Sequence, residues 1–209
     1  MSTLVEAIRA GADIDAIAAH LDGLDAETRK NEVSALRPSD QSKLYALADG
    51  RHTRLNFYVP DGVEPGVEVI HDGINTLPVI GGVFQKRFAI DPDNATRICG
   101  YNHNYTGIVS HLGWFTGPGY FLVREQGSAA PDGRTDHDGQ IFVNYYEQPT
   151  RAPVSTWPEP QPAMGWSAAL VWGSMCDYMW RVSDHVSIGT AYKKGKPLGQ
   201  FFALCRRDT

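Results

Sequence analysis

Residues 83–102 read VFQKRFAIDPDNATRICGYN, two runs of alternating apolar and polar side chains joined by Asp91-Pro92-Asp93-Asn94. A period of two is the pattern of a half-buried strand. A linker of Asp, Pro and Asn this short turns the chain straight back, which suits an antiparallel pair and not the long crossover of a parallel one. Runs of the same character lie at 67–72, 119–126, 140–147, 185–192 and 198–206, so with 83–91 and 96–102 the chain has seven predicted strands. Lys193-Lys194-Gly195-Lys196 is a second hairpin linker of the same kind. The sheet is therefore predicted to be antiparallel. With so many strands of similar size, curling into a closed barrel removes exposed edges, and an open sheet packed on helices is the other arrangement.

Residues 1–50 differ in character, being rich in Ala and Leu and poor in β-branched alternation. Leu4, Val5 and Ile8 form one stripe, Ile14, Ile17, Ala18 and Leu21 another, and Val33, Leu36, Leu44, Tyr45 and Leu47 continue the helical spacing. Ser39 after Pro38 suits an N-cap, and Gly50 a C-terminal stop. Three or four helices this short are unstable alone and must pack on something. The remaining residues, 51–209, form the predicted sheet domain, which has two interruptions. The Pro-rich stretch 149–162 cannot donate ladder hydrogen bonds at its prolines and is predicted to run as a covering strap. Residues 166–182, with Ala169, Trp172, Met175, Cys176 and Met179 at helical spacing, are predicted to form a buried helix against the sheet.

The chain of 209 residues is long enough for one principal core. Its net charge of −5, with 19 Lys and Arg scattered and not striped, lacks the footprint of a nucleic-acid or anionic-membrane binder. Cys99, Cys176 and Cys205 have neither CxxC nor metal-type spacing, which points to reduced thiols and a cytoplasmic protein. The N-terminal segment carries acidic residues and no long apolar h-region, and the apolar run 166–180 is too short and too interrupted to span a bilayer.

Chemistry-bearing residues concentrate in Gly100–Glu125, GYNHNYTGIVSHLGWFTGPGYFLVRE. Three of the residues considered have acid–base chemistry. His71 shares a face with Val67 and Val69, which turns its imidazole where the apolar side chains point, and Tyr101 and His103 share a second face that is polar for a core. If these groups face inward, they form a catalytic set of His71, His103 and Tyr101; if outward, Tyr101 and His103 meet solvent. Lys86 has the parity of Phe84, Phe88 and Ile90. An inward Lys needs a carboxylate or an anionic ligand, and Asp177 is the partner the sequence offers. Trp114, Tyr120 and Tyr145 complete the predicted pocket lining.

Other motifs carry less. A metal set of His71, His103, His111 and Asp72 has only generic spacing, and no metal or cofactor is assigned. Ser183-Asp184-His185 are too close in sequence to converge as a triad. The loop 131–139 lacks calcium-loop spacing, and the Gly-rich entry at Gly113–Tyr120 leads to a strand without a phosphate-binding Lys.

The mid-chain Gly-x-Trp-like piece around Trp114 and the late Arg206 resemble the calycin barrels, in which a Trp near the chain start meets a late Arg. Here the Trp lies mid-chain, so the resemblance implies fold analogy alone. The sequence thus predicts an α+β protein with N-terminal short helices, a curved antiparallel sheet or barrel of seven to eight strands, and one late buried helix. Three functions are compatible with it. The first is binding of a small, largely apolar or aromatic ligand. The second is a cofactor-free isomerase, cyclase or hydrolase using His and Tyr acid–base chemistry. The third is a scaffold whose N-terminal helices dock a protein partner or a second copy.

Overall fold

Short helices need defined ends, and the N-terminal segment supplies them. Thr3 and Glu6 cap each other's backbone at the start of α1 (Leu4–Ala10), and Gly11 ends it at φ 77°. Asp13 accepts from Ala16 N–H at α2 (Ile14–Asp22) and Asp25 from Thr28 N–H at α3 (Ala26–Ser34). In α4 (Pro38–Leu47) the sequence expectation shifts by two residues. Pro38 opens the helix, Arg37 takes the N-cap position with its N–H donated to Asp40 at 3.2 Å, and Ser39 lies inside. These features belong to a computed structural model, which describes residues 2–76, 82–104, 119–125, 130–134, 139–160 and 174–208.

The described residues contain eight strands in one closed antiparallel barrel, in the order β1-β2-β3-β4-β5-β6-β7-β8 with β8 returning to β1. They are β1 (Val69–Asn75), β2 (Gly82–Asp91), β3 (Asn94–Asn104), β4 (Tyr120–Arg124), β5 (Ile141–Asn144), β6 (Met175–Arg181), β7 (Val186–Lys193) and β8 (Lys196–Arg206). Both predicted hairpins form: Asp91 pairs with Asn94 and Lys193 with Lys196. Lys194 at φ 51° and Gly195 at φ 72° supply the left-handed pair that the second, two-residue turn requires.

Register assigns the faces. Val69, Phe84, Phe88, Ile98, Phe121, Val123, Ile141, Val143, Met179, Phe202 and Leu204 fill the interior together with Phe57 and Tyr58 of the short helix α5 (Leu55–Tyr58). Tyr58 stacks on His71 and tilts against Phe88, so α5 plugs the end where β1 begins and β2 finishes. The opposite parity of β6–β8 (Trp180, Ile188, Val186, Ala203, Cys205) is buried beneath Leu4, Ile8, Ile17, Leu21, Val33 and Leu44 of α1–α4. On another outer face, the strap at 149–160 lays Val154 and Trp157 over Ala89, Tyr101 and Tyr120. Trp157 Nε1–H donates to Glu68 at 2.9 Å, and Tyr120 Oη–H to the Pro158 carbonyl at 2.6 Å.

The expected helix at 166–182 needs correction. Residues 175–181 are strand β6, and 166–173 lie outside the described residues. Cys176, Tyr178, Met179 and Trp180 are all buried, because β6 faces the barrel interior on one side and covering elements on the other. A strand buried on both faces reads as an unbroken apolar run, which periodicity cannot tell from a buried helix.

Large aromatics fit inside the barrel because glycine stands opposite them. At Gly100 an added Cβ would come 2.2 Å from the Arg87 carbonyl oxygen and 2.7 Å from the Phe121 ring. Gly100→Ala must therefore move a neighbouring strand, and urea unfolding should show a loss of about 3 kcal/mol. An unchanged midpoint would mean that strands β2 and β3 can separate freely at this point.

Candidate functional site

Among the described residues, a compact polar cluster lies in the barrel interior. Lys86 of β2 has the predicted inward parity and is 2 % exposed. Its Nζ donates to Asp177 Oδ2 at 2.9 Å and to the Tyr145 hydroxyl, and Tyr145 Oη–H donates to the same Asp177 oxygen at 3.0 Å. Asn102 Nδ2 donates to Tyr145 Oη at 3.0 Å and to the Gly119 carbonyl at 3.4 Å. The rings of Phe121, Tyr145 and Phe202 surround Nζ at 4.8, 5.0 and 5.1 Å from their centroids. Four strands and the residue after β5 thus converge on one ammonium group.

Lys86 lies mid-barrel beside His71, and its polar partners lie toward the end away from α5, since Asp177 is near the start of β6, Tyr145 follows the end of β5, and Asn102 is near the end of β3. Its electrostatics are set by dryness. Burial pushes the Lys86 ammonium below its ordinary range, and the contact with Asp177 opposes that shift. Burial, reinforced by the Asp177 charge, pushes Tyr145 well above the ordinary phenol range, so it remains a neutral hydroxyl. Such a pair contributes little net stability, because desolvating two charges roughly offsets their attraction.

His71 also faces inward, directly across from Lys86 in the β1–β2 register, with its ring turned toward α5. Its Nε2–H donates to the Tyr58 carbonyl at 3.0 Å, and Nδ1 has no hydrogen-bond partner among the described residues. Burial among Tyr58, Phe57 and Phe88 pushes the imidazole down to about 3 from the ordinary 6.5. The unfolded chain therefore takes up this proton first as pH falls. The stability linked to it is complete above about pH 6.5 and is lost towards pH 3, by about 1.4 kcal/mol per pH unit. His71→Gln is expected to flatten that dependence. Urea midpoints at about pH 7 and about pH 5 should give a wild-type loss larger than the variant's by roughly 2 kcal/mol, and parallel losses would place the proton uptake elsewhere.

Tyr101 and His103 have the other parity from Gly100 and Asn102, which places them on the barrel's outer face. Tyr101 is 5 % exposed against Trp157 and Tyr120, and His103 is pushed down by partial burial and the nearby Arg87. The fold thus brings together Lys86, Tyr145 and Asp177 and keeps His71 apart from Tyr101, His103 and Tyr120. Trp114 and His111 lie outside the described residues. Asn102, Phe121 and Phe202 join the cluster without having been singled out in the sequence. For Asn102 the signal was present, because it shares the parity of Ile98 and Gly100.

Elsewhere, a surface hollow of about 430 Å³ beside α3 is lined by Glu27, Lys30, Asp72, Arg206, Arg207 and Asp208. Its charges are engaged: Lys30 with Glu27, Arg207 with Asp72, and Asp208 with Arg29. Among the described residues no three His, Cys, Asp or Glu side chains gather as a metal ion would require, and no helix is long and apolar enough to cross a membrane. Compared with family models, curated proteins and solved structures, the chain matches none of them.

Proposed function

We propose that this barrel binds a small, largely apolar or aromatic molecule at the end away from α5, with the polar group of that molecule meeting Lys86, Tyr145, Asn102 and Asp177. The observation that carries this reading is the Lys86–Asp177 ion pair, 2.9 Å long and sealed inside a hydrocarbon interior. Apolar residues of similar volume would serve stability as well or better, so the pair suits recognition more than folding. Aromatic walls with a few fixed polar groups are the usual composition of a small-molecule site, and Phe84, Phe121 and Phe202 supply such walls. The three buried unpaired cysteines, with Cys99 pushed up to about 12 by burial, favour a cytoplasmic setting.

A fluorescence titration with 2-naphthol, an aromatic body with one hydroxyl, tests the reading. Saturable binding of one molecule per chain is expected. The paired variant Lys86→Met, Asp177→Leu should weaken it by about 10-fold or more, the value of a hydrogen bond to a charged group. Non-saturating uptake, or equal affinity in the paired variant, would overturn the proposal.

A further inference from the structure

We infer that Lys86 captures aldehydes covalently: an aromatic aldehyde seated against the cluster forms a reversible imine with its Nζ. This rests on the ligand-binding reading above and names the substrate class of the same site.

Imine formation asks three things of a protein, and all three are arranged here. The amine must be dry, because water stabilises the ammonium, which has no lone pair, and desolvation favours the neutral nucleophilic amine; Lys86 is 2 % exposed and enclosed by three aromatic rings. A base must accept the ammonium proton, and Asp177 Oδ2 stands 2.9 Å from Nζ. An acid must serve the carbonyl oxygen, and the Tyr145 hydroxyl touches both Lys86 and Asp177. The lowering of the Lys86 ammonium by burial acts in the same direction.

The ammonium gives a proton to Asp177, and the freed lone pair forms a C–N bond to the aldehyde carbon. The C=O π electrons move to oxygen, which takes a proton from Tyr145 as Asp177 returns one to the phenolate. The resulting carbinolamine loses its hydroxyl as water, carrying off one of the protons that began on nitrogen, while the nitrogen lone pair closes the C=N bond. In sum, aldehyde and ammonium give a protonated imine and water, with Asp177 again a carboxylate facing the positive nitrogen. No oxidant or reductant is involved. Asp177 thereby stabilises the charge of the product as it does that of Lys86, and the surrounding rings fit a flat aromatic body. Lys43, Lys194 and Lys196 are exposed and hydrated and have no such setting.

The experiment uses 2-naphthaldehyde with the intact chain, the imine being trapped by sodium cyanoborohydride and located by peptide mass spectrometry. One naphthylmethyl group per chain is expected on Lys86, formed at least about 10-fold faster than on Lys43, because a desolvated amine is the more reactive. Excess 2-naphthol should suppress it. The Lys86→Met, Asp177→Leu variant, which leaves no unpaired charge in the interior, should show only slow surface labelling. Labelling confined to Lys30, Lys43, Lys193, Lys194 and Lys196, with Lys86 unmodified, overturns the inference. If 2-naphthol still binds saturably in that case, only the covalent step fails; if it does not, the binding reading fails too.

Discussion

Asp177→Ala is expected to lower folding stability by about 3–5 kcal/mol, because it strands the Lys86 ammonium in the barrel interior without its counter-charge. Lys86 is 2 % exposed, and among the described residues the rings of Phe121, Tyr145 and Phe202 lie against its ammonium. The Tyr145 hydroxyl, which donates to Asp177, loses that bond in the same step. Lys86→Met alone leaves the opposite charge and should cost a similar amount. The two changes made together, with Leu at 177, remove both charges and fill their volume, so most of the loss should return. Chemical unfolding of the wild type, Asp177→Leu, Lys86→Met and the double variant yields the coupling energy directly. A double variant as unstable as the sum of the singles would show that the pair is not a unit.

A chain starting at residue 51 is expected to be insoluble or to lose its fixed tertiary packing. Removing α1–α4 uncovers Trp180, Val182, Val186, Ile188 and Ala203, which are now buried beneath Leu4, Ile8, Ile17, Leu21 and Val33. Each fully buried side chain of this size contributes roughly 1.5–3 kcal/mol, and a handful of them equals the whole of a typical domain's stability of about 5–15 kcal/mol. Arg29 adds to the attachment, its guanidinium donating to the Leu21 and Leu24 carbonyls and pairing with Asp208 beyond β8. Soluble yield and near-ultraviolet circular dichroism measure the outcome. A soluble truncated chain with unchanged aromatic signal would mean that the helices are dispensable and available for other partners.

Much of this architecture was written locally. The helices could be read because Thr3, Asp13 and Asp25 cap them and apolar residues recur at helical spacing. The hairpins could be read because Asp91–Asn94 and Lys193–Lys196 are turn chemistry in themselves. Lys86 could be placed inside from its parity with Phe84 and Phe88, and charge balance singled out Asp177. What failed was wherever both faces of a strand are covered. Strand β6 looked helical because Tyr178 and Trp180 are as buried as Met179. Tyr101 and Tyr120 looked like pocket residues because the strap that buries them from outside is a tertiary contact between distant segments. Polar aromatics gather in β3 and β4 partly to hold that strap, through Tyr120 to Pro158, and only partly to serve the interior. Asn102 could have been placed inside by its parity with Ile98 and Gly100, but its chemistry drew less attention than that of its neighbours Tyr101 and His103.

The seam between β1 and β8 bears on how the molecule forms. His71 pairs with Arg206 and Asn75 with Phe202, so the ring of strands cannot be completed until β8 has left the ribosome. Until then β1 has a bare side, and the nascent chain must hold an unfinished sheet of several hairpins in solution. Contacts this remote in sequence slow folding to the range of roughly milliseconds to seconds. During synthesis the open edge is therefore the point at which chaperones would act or aggregation begin.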